Sequence, residues 1–155
     1  MATHGENQII VNYSPFKIEV GKIKEFARAI KNTNPIYFDR HAAMKEGYPA
    51  IPIPPTFFTV IDYWNDYDFY QLFHLLQLTP NQVLHGEQSY QYYEDVYEGD
   101  IITSQLIVKD QYKKNGKTFF KIETIYKNQR NTVVAISQAT LILIDGEAND
   151  GASDD

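Results

Sequence analysis

The chain has 155 residues, of which 43% are hydrophobic and 22% charged; this is enough for one globular domain with a real core. Its net charge of −6 disfavours nucleic-acid binding, which needs a basic face. The absence of cysteine excludes disulfides, thiol nucleophiles and Cys-based metal sites.

No apolar run approaches the ~18 residues of a membrane span. The first residues lack the basic and apolar regions of a signal peptide, so a cytoplasmic location without membrane partners is expected. Aromatic residues make up 14% of the chain, and 12 of them are Tyr. Tyr suits half-wet surfaces such as clefts and subunit interfaces, and equally the exposed faces of sheets.

Residues 1–12 read as a flexible lead-in. Residues 16–20 alternate apolar and polar, the pattern of a short strand. From Gly21 the period changes: Ile23, Phe26, Ala27 and Ile30 follow helical spacing, which predicts a helix over 21–31 that ends before Pro35. Asp39 is placed to cap a second short helix over 40–46, stopped at Gly47. The proline-rich stretch 48–55 excludes regular helix or central strand. Residues 56–64 are mostly apolar and read as a buried helix. Residues 66–78 read as a second, more peripheral one, which Thr79-Pro80-Asn81 breaks.

The remainder is β in character. Strands are predicted over 83–94, 101–112, 118–126 and 132–144, with turns at 97–100, 113–116 and 128–131. Asn115-Gly116 is a strong hairpin signal, because Asn and Gly tolerate the positive φ such turns need. The apolar density of 132–144 places it inside the sheet. Residues 146–155 are small and acidic and read as a disordered tail. One strand, a buried helix and several long antiparallel strands make an α+β domain spanning 13–145.

Two sets of residues resemble a known family. In 26–43, Asn34, Pro35, Ile36 and Ala43 fall into the frame of the hydratase signature of the MaoC-like, (R)-specific enoyl-CoA hydratases. That signature reads Gly-Asp-x-Asn-Pro-aliphatic-His, with a small residue six positions after the His. The later run Leu84-His85-Gly86-Glu87-Gln88, followed by Gly99-Asp100, is similar to the N-terminal, FAS1-like dehydratase half of the same superfamily. The stretch 48–57, Tyr-Pro-Ala and then Pro-Pro-Thr-Phe, matches that half in type. The similarity with that half spans roughly residues 14–145.

The resemblance implies a hotdog fold, in which a curved antiparallel sheet wraps a central apolar helix. It also implies hydro-lyase chemistry: reversible addition of water to a trans-2-enoyl thioester by an Asp and a His acting as general acid and base. Asn32 and Tyr37 stand at those two positions. Asn does not take a proton, and Tyr, with a pKa near ~10, is a poor base. The resemblance further implies substrate contacts at Asn34, Pro55, Thr56, Phe57, His85 and Gly86, with the start of the 56–64 helix facing the thioester carbonyl.

Three functions follow as expectations. The first is an acyl-CoA- or acyl-carrier-binding, non-catalytic subunit of a (3R)-hydroxyacyl dehydratase or enoyl hydratase, paired with a catalytic hotdog chain. The second is a self-sufficient homodimeric hydratase with an altered site. The third is a non-enzymatic acyl-CoA-binding or regulatory homodimer. Asp39 and His41 are the nearest alternative acid/base pair, though Asp39 is explained as a cap. His85 and Glu87 share strand parity, which predicts that they point to one face, as tunnel lining or as a cross-strand pair. Lys113, Lys114 and Lys117 cluster at a hairpin tip, where cations could meet phosphates. The four histidines lack metal-ligand spacing, so neither metal nor cofactor is expected.

Overall fold

A computed structural model of the chain describes residues 8–65 and 68–144; most of the lead-in and the acidic tail lie outside the described residues. In chain order the elements are β1 (Ile10–Asn12), β2 (Phe16–Lys17), α1 (Val20–Ala29), α2 (Arg40–Lys45), α3 (Phe58–Tyr63), α4 (Asp68–Leu75), β3 (Val83–Tyr92), β4 (Ile101–Lys114), β5 (Lys117–Lys127) and β6 (Val133–Ile144). Single 3-10 turns occupy Pro35–Tyr37 and Pro80–Gln82.

The sheet is antiparallel in the order β1-β4-β5-β6-β3, and β2 pairs with β4 off this path. Asn115 (φ 52°) and Gly116 (φ 71°) form the two-residue turn between β4 and β5. Both take the left-handed region, as the dipeptide predicts, and the lysines beside them belong to the strands. Register shifts between His85 and Glu87, between Val108 and Asp110, and between Tyr126 and Lys127 mark bulges, which bend and twist the strands that carry them.

Three expectations need correction. The end of the lead-in is strand: Val11, 2% exposed, pairs with Leu106, so burial of one side chain anchors the segment. The strand expected over 16–20 is only two residues long, because α1 already begins at Val20. The helix expected over 56–64 is shorter and not buried all round. Its first N–H groups close tight turns instead: Phe57 to Pro54, Thr59 to Thr56 and Val60 to Phe57. Only Phe58 and Ile61 within α3 are buried, while Trp64 just beyond it is 78% exposed.

The proline-rich segment is held as extended chain against 96–98. Ile53 N–H donates to the Val96 carbonyl at 3.0 Å, and Glu98 N–H to the Ile51 carbonyl at 2.9 Å. The Glu98 carboxylate also accepts from Arg40 Nε and Nη2, each at 2.7 Å, and from Ile51 N–H at 3.4 Å. One carboxylate thus ties α2, the prolines and the turn before β4 together.

The apolar interior is in two parts. One surrounds Phe57, Phe58 and Tyr126, with α1 and the 3-10 turn at Pro35–Tyr37. The other surrounds Leu72, Leu106, Phe120 and Leu141, with β1 and α4. Each fully buried Leu or Phe contributes about 1.5–3 kcal/mol.

Candidate functional site

The overhang after α1 is shaped by two asparagines. Lys31 takes a positive φ of 57° and ends the helix. Asn32 Oδ1 then accepts from Asn34 N–H at 3.0 Å, and Asn34 Oδ1 accepts from Ile36 N–H at 3.2 Å, capping the turn that Pro35 opens. The acceptor oxygen of each side chain is thereby engaged by its own loop. Tyr37 is 9% exposed and packs in the first apolar cluster. Burial raises its pKa, and the neighbouring Tyr48 raises it further, which takes the phenol away from any role as a base.

Asp39 caps α2 by accepting from His41 N–H at 2.7 Å and Ala42 N–H at 3.3 Å. His41 lies exposed on the helix, so this pair does not form an acid/base couple at the overhang. At the start of α3, Phe57 is 0% exposed and meets the Phe26 ring edge-on, with centroids 5.6 Å apart. Pro55 and Thr56 offer carbonyls that are already taken, by Tyr92 Oη at 2.7 Å and by Thr59. At this end of α3 the N–H groups of Phe57, Thr59 and Val60 are engaged in turns.

His85 and Glu87 do not share a face. The bulge at Gly86 inserts one residue, so His85 falls opposite Leu141 and Glu87 opposite Thr140. His85 therefore joins the inner row and borders a small cavity with Asp62. Glu87 points outward, where Lys121 Nζ lies 3.6 Å from its carboxylate. Gly86 itself faces Ile142: a Cβ there would come within 2.7 Å of the Ile142 Cδ1. Lys113, Lys114 and Lys117 are exposed at the hairpin tip, and Lys114 pairs directly with Lys117.

One strongly perturbed group is a residue the sequence reading passed over. Asp62 lies on the sheet side of α3, and Tyr126 Oη donates to both of its carboxylate oxygens at 2.8 Å. Ser137 Oγ lies 3.4 Å from the same phenol oxygen. As a residue Asp62 is half-buried, but its carboxyl is deep enough for desolvation to push its pKa up to about 7, against the lowering effect of the Tyr126 bond. The phenols of Tyr63, Tyr90 and Tyr126 are raised in turn, first by burial and then by the Asp62 charge. The signal was there to read: a lone Asp in an apolar run needs a buried partner.

Similarity to known proteins accords with this architecture. The model of the FAS1-like dehydratase domain region matches residues 8–137. The chain belongs to that family. A UPF0336 protein of Saccharopolyspora erythraea is 30% identical over 139 residues, covering 88% of each chain. Among solved structures, the HadBC (3R-hydroxyacyl-ACP dehydratase) complex of Mycobacterium tuberculosis superposes with a TM-score of 0.77 at 23% identity, over 88% of this chain and 96% of that one. The ChsH1-ChsH2 complex of the same organism gives 0.68 at 16% identity, over 93% and 90%. The fold of this FAS1-like dehydratase domain is the hotdog of MaoC-like dehydratases and (R)-hydratases.

Proposed function

We propose that this FAS1-like dehydratase domain binds an acyl thioester as the non-catalytic subunit of a (3R)-hydroxyacyl dehydratase or enoyl hydratase. The catalytic Asp and His would come from a second hotdog chain. The observation that carries this reading is the occupancy of the overhang. Asn32 holds its own loop and Tyr37 fills the core, so neither stands ready to move a proton. The ligand is acyl-CoA or acyl-phosphopantetheine, and no further cofactor takes part. The hotdog complexes HadBC and ChsH1-ChsH2 support a paired assembly, as does the outer edge of β3, unpaired among the described residues.

Self-sufficient catalysis would need a base elsewhere. Among the described residues, Asp62 is the carboxyl whose pKa is pushed up to about 7, but its cavity of about 30 Å³ is too small for an enoyl group. The test is hydration of a trans-2-enoyl-CoA by the purified chain, alone and with a hotdog chain bearing the intact signature. Saturable binding without turnover is expected alone, and turnover with the partner. Tyr37→Phe and Asn32→Ala should leave the paired rate within about two-fold. Hydration by the chain alone would overturn the reading.

A further inference from the structure

Between the two apolar clusters, the inner face of the sheet carries a belt of polar groups. Thr124 and Ser137 lie opposite each other on β5 and β6, 4% and 3% exposed. Ser104, 5% exposed, faces Tyr126 from β4. Tyr90 stands opposite Ser137 on β3, and Asp62 comes down from α3.

Buried polar groups ordinarily close on one another. Here they do not. Tyr90 Oη and Ser104 Oγ, which lie in the belt but do not border the cavity described next, are buried with no hydrogen-bond partner among the described residues. Among the described residues the Asp62 carboxyl meets a single donor, the Tyr126 hydroxyl. Beside it lies a cavity of about 30 Å³ bordered by Asp62, Thr124, Ser137, Gln88 and His85. Tyr63 and Phe69, with ring centroids 4.5 Å apart, also border it. His85 and Tyr63 are exposed, so the cavity opens toward the free edge of β3. It has room for one oxygen atom of water size. No residue of the overhang lines it.

We propose that this cavity is a hydroxyl subsite, which selects acyl chains carrying a hydroxyl beyond the reacting carbons over plain alkyl chains. The inference rests on the acyl-thioester reading above. A hydroxyl both accepts and donates, so it satisfies Ser137 or Thr124 and the Asp62 carboxyl at once. An alkyl chain would offer these groups no partner beyond the Tyr126 hydroxyl that Asp62 and Ser137 already share. Sites built to hydrogen-bond a substrate hydroxyl discriminate strongly against the analogue lacking it. An anionic group is disfavoured by the same carboxyl.

The test measures binding to the purified chain of octanoyl-pantetheine and a set of hydroxyoctanoyl-pantetheines, with the hydroxyl walked along the chain, by titration calorimetry. One position in the set should bind at least about ten-fold more tightly than octanoyl-pantetheine. Ser137→Ala and Thr124→Val each remove one buried hydroxyl and should erase most of that preference. Asp62→Leu should reverse it, and thermal unfolding of each variant checks that the fold is kept. If octanoyl-pantetheine binds as tightly as every hydroxylated form, the subsite is refuted and the acyl-thioester reading stands. If none of the thioesters saturates, the acyl-thioester reading falls and the subsite with it.

Discussion

Asp62 decides how the molecule responds to pH. Its carboxyl has a folded pKa of about 7, against about 4 in an unfolded chain. Between those values the folded form holds a proton that the unfolded form has lost, so this group's contribution to stability falls as pH rises from about 4 to about 7, and is flat outside that window. The span corresponds to a few kcal/mol. Asp62→Asn keeps a partner for Tyr126 and removes the titration. Its Tm relative to wild type should therefore rise through that window and be highest at pH 8, measured by calorimetry across a pH series. Glu98 makes a different prediction. Its side chain is 12% exposed, whereas that of Arg40 is 65% exposed, and only Glu98 also holds Ile51 N–H. Glu98→Ala should cost about 1–2 kcal/mol in urea unfolding, and Arg40→Ala clearly less.

At the level of elements, Gly86 sets the aim of the whole of β3. Without its bulge, every side chain on one flank of that strand would change face. Gly86→Ala places a methyl against Ile142 Cδ1, so a loss of about 1 kcal/mol is expected. Ile142→Val removes that carbon, and the double variant should recover most of the loss, as a double-mutant cycle by denaturant titration would read. This is also where sequence reasoning was least able to see. The α2 cap and the Asn115-Gly116 turn were legible because each is decided by one or two residues in contact with their own backbone. The bulge is decided by how β3 registers on β6, some fifty residues away, so strict alternation put His85 and Glu87 on one face. The length of α3 was hidden for a similar reason. Three nearby prolines and a threonine redirect its first N–H groups, which an apolar count does not register. The overhang was legible in its frame, yet the fates of Asn32 and Tyr37 needed the packing.

For the molecule as a whole, the free flank of β3 is the most consequential surface. β3 hydrogen-bonds to β6 on one side, and among the described residues its other side is unpaired. Leu84 and Tyr93 along it are 53% and 51% exposed. A long open edge of this kind is a template for pairing unless something blunts it. Leu84→Lys combined with Tyr93→Lys should shift the chain toward monomer in analytical ultracentrifugation while leaving its circular dichroism unchanged. The α+β order and the four long strands could be read in advance from periodicity, whereas β1 could not. The division of the core into two clusters could not, since it depends on which inward positions of different strands meet.

The pairing of β1 with β4 also sets an order of events in time. Ile10 meets Ile107, and Asn12 meets Gln105, so β1 has to wait for a strand made more than ninety residues later. The β4–β5 hairpin closes over a two-residue loop and is the cheapest nucleus available. Gly116→Ala, strained at φ 71°, should slow refolding in stopped-flow fluorescence, whereas Val11→Ala should mainly speed unfolding. A strand made well before its partner is thus among the last to find its place.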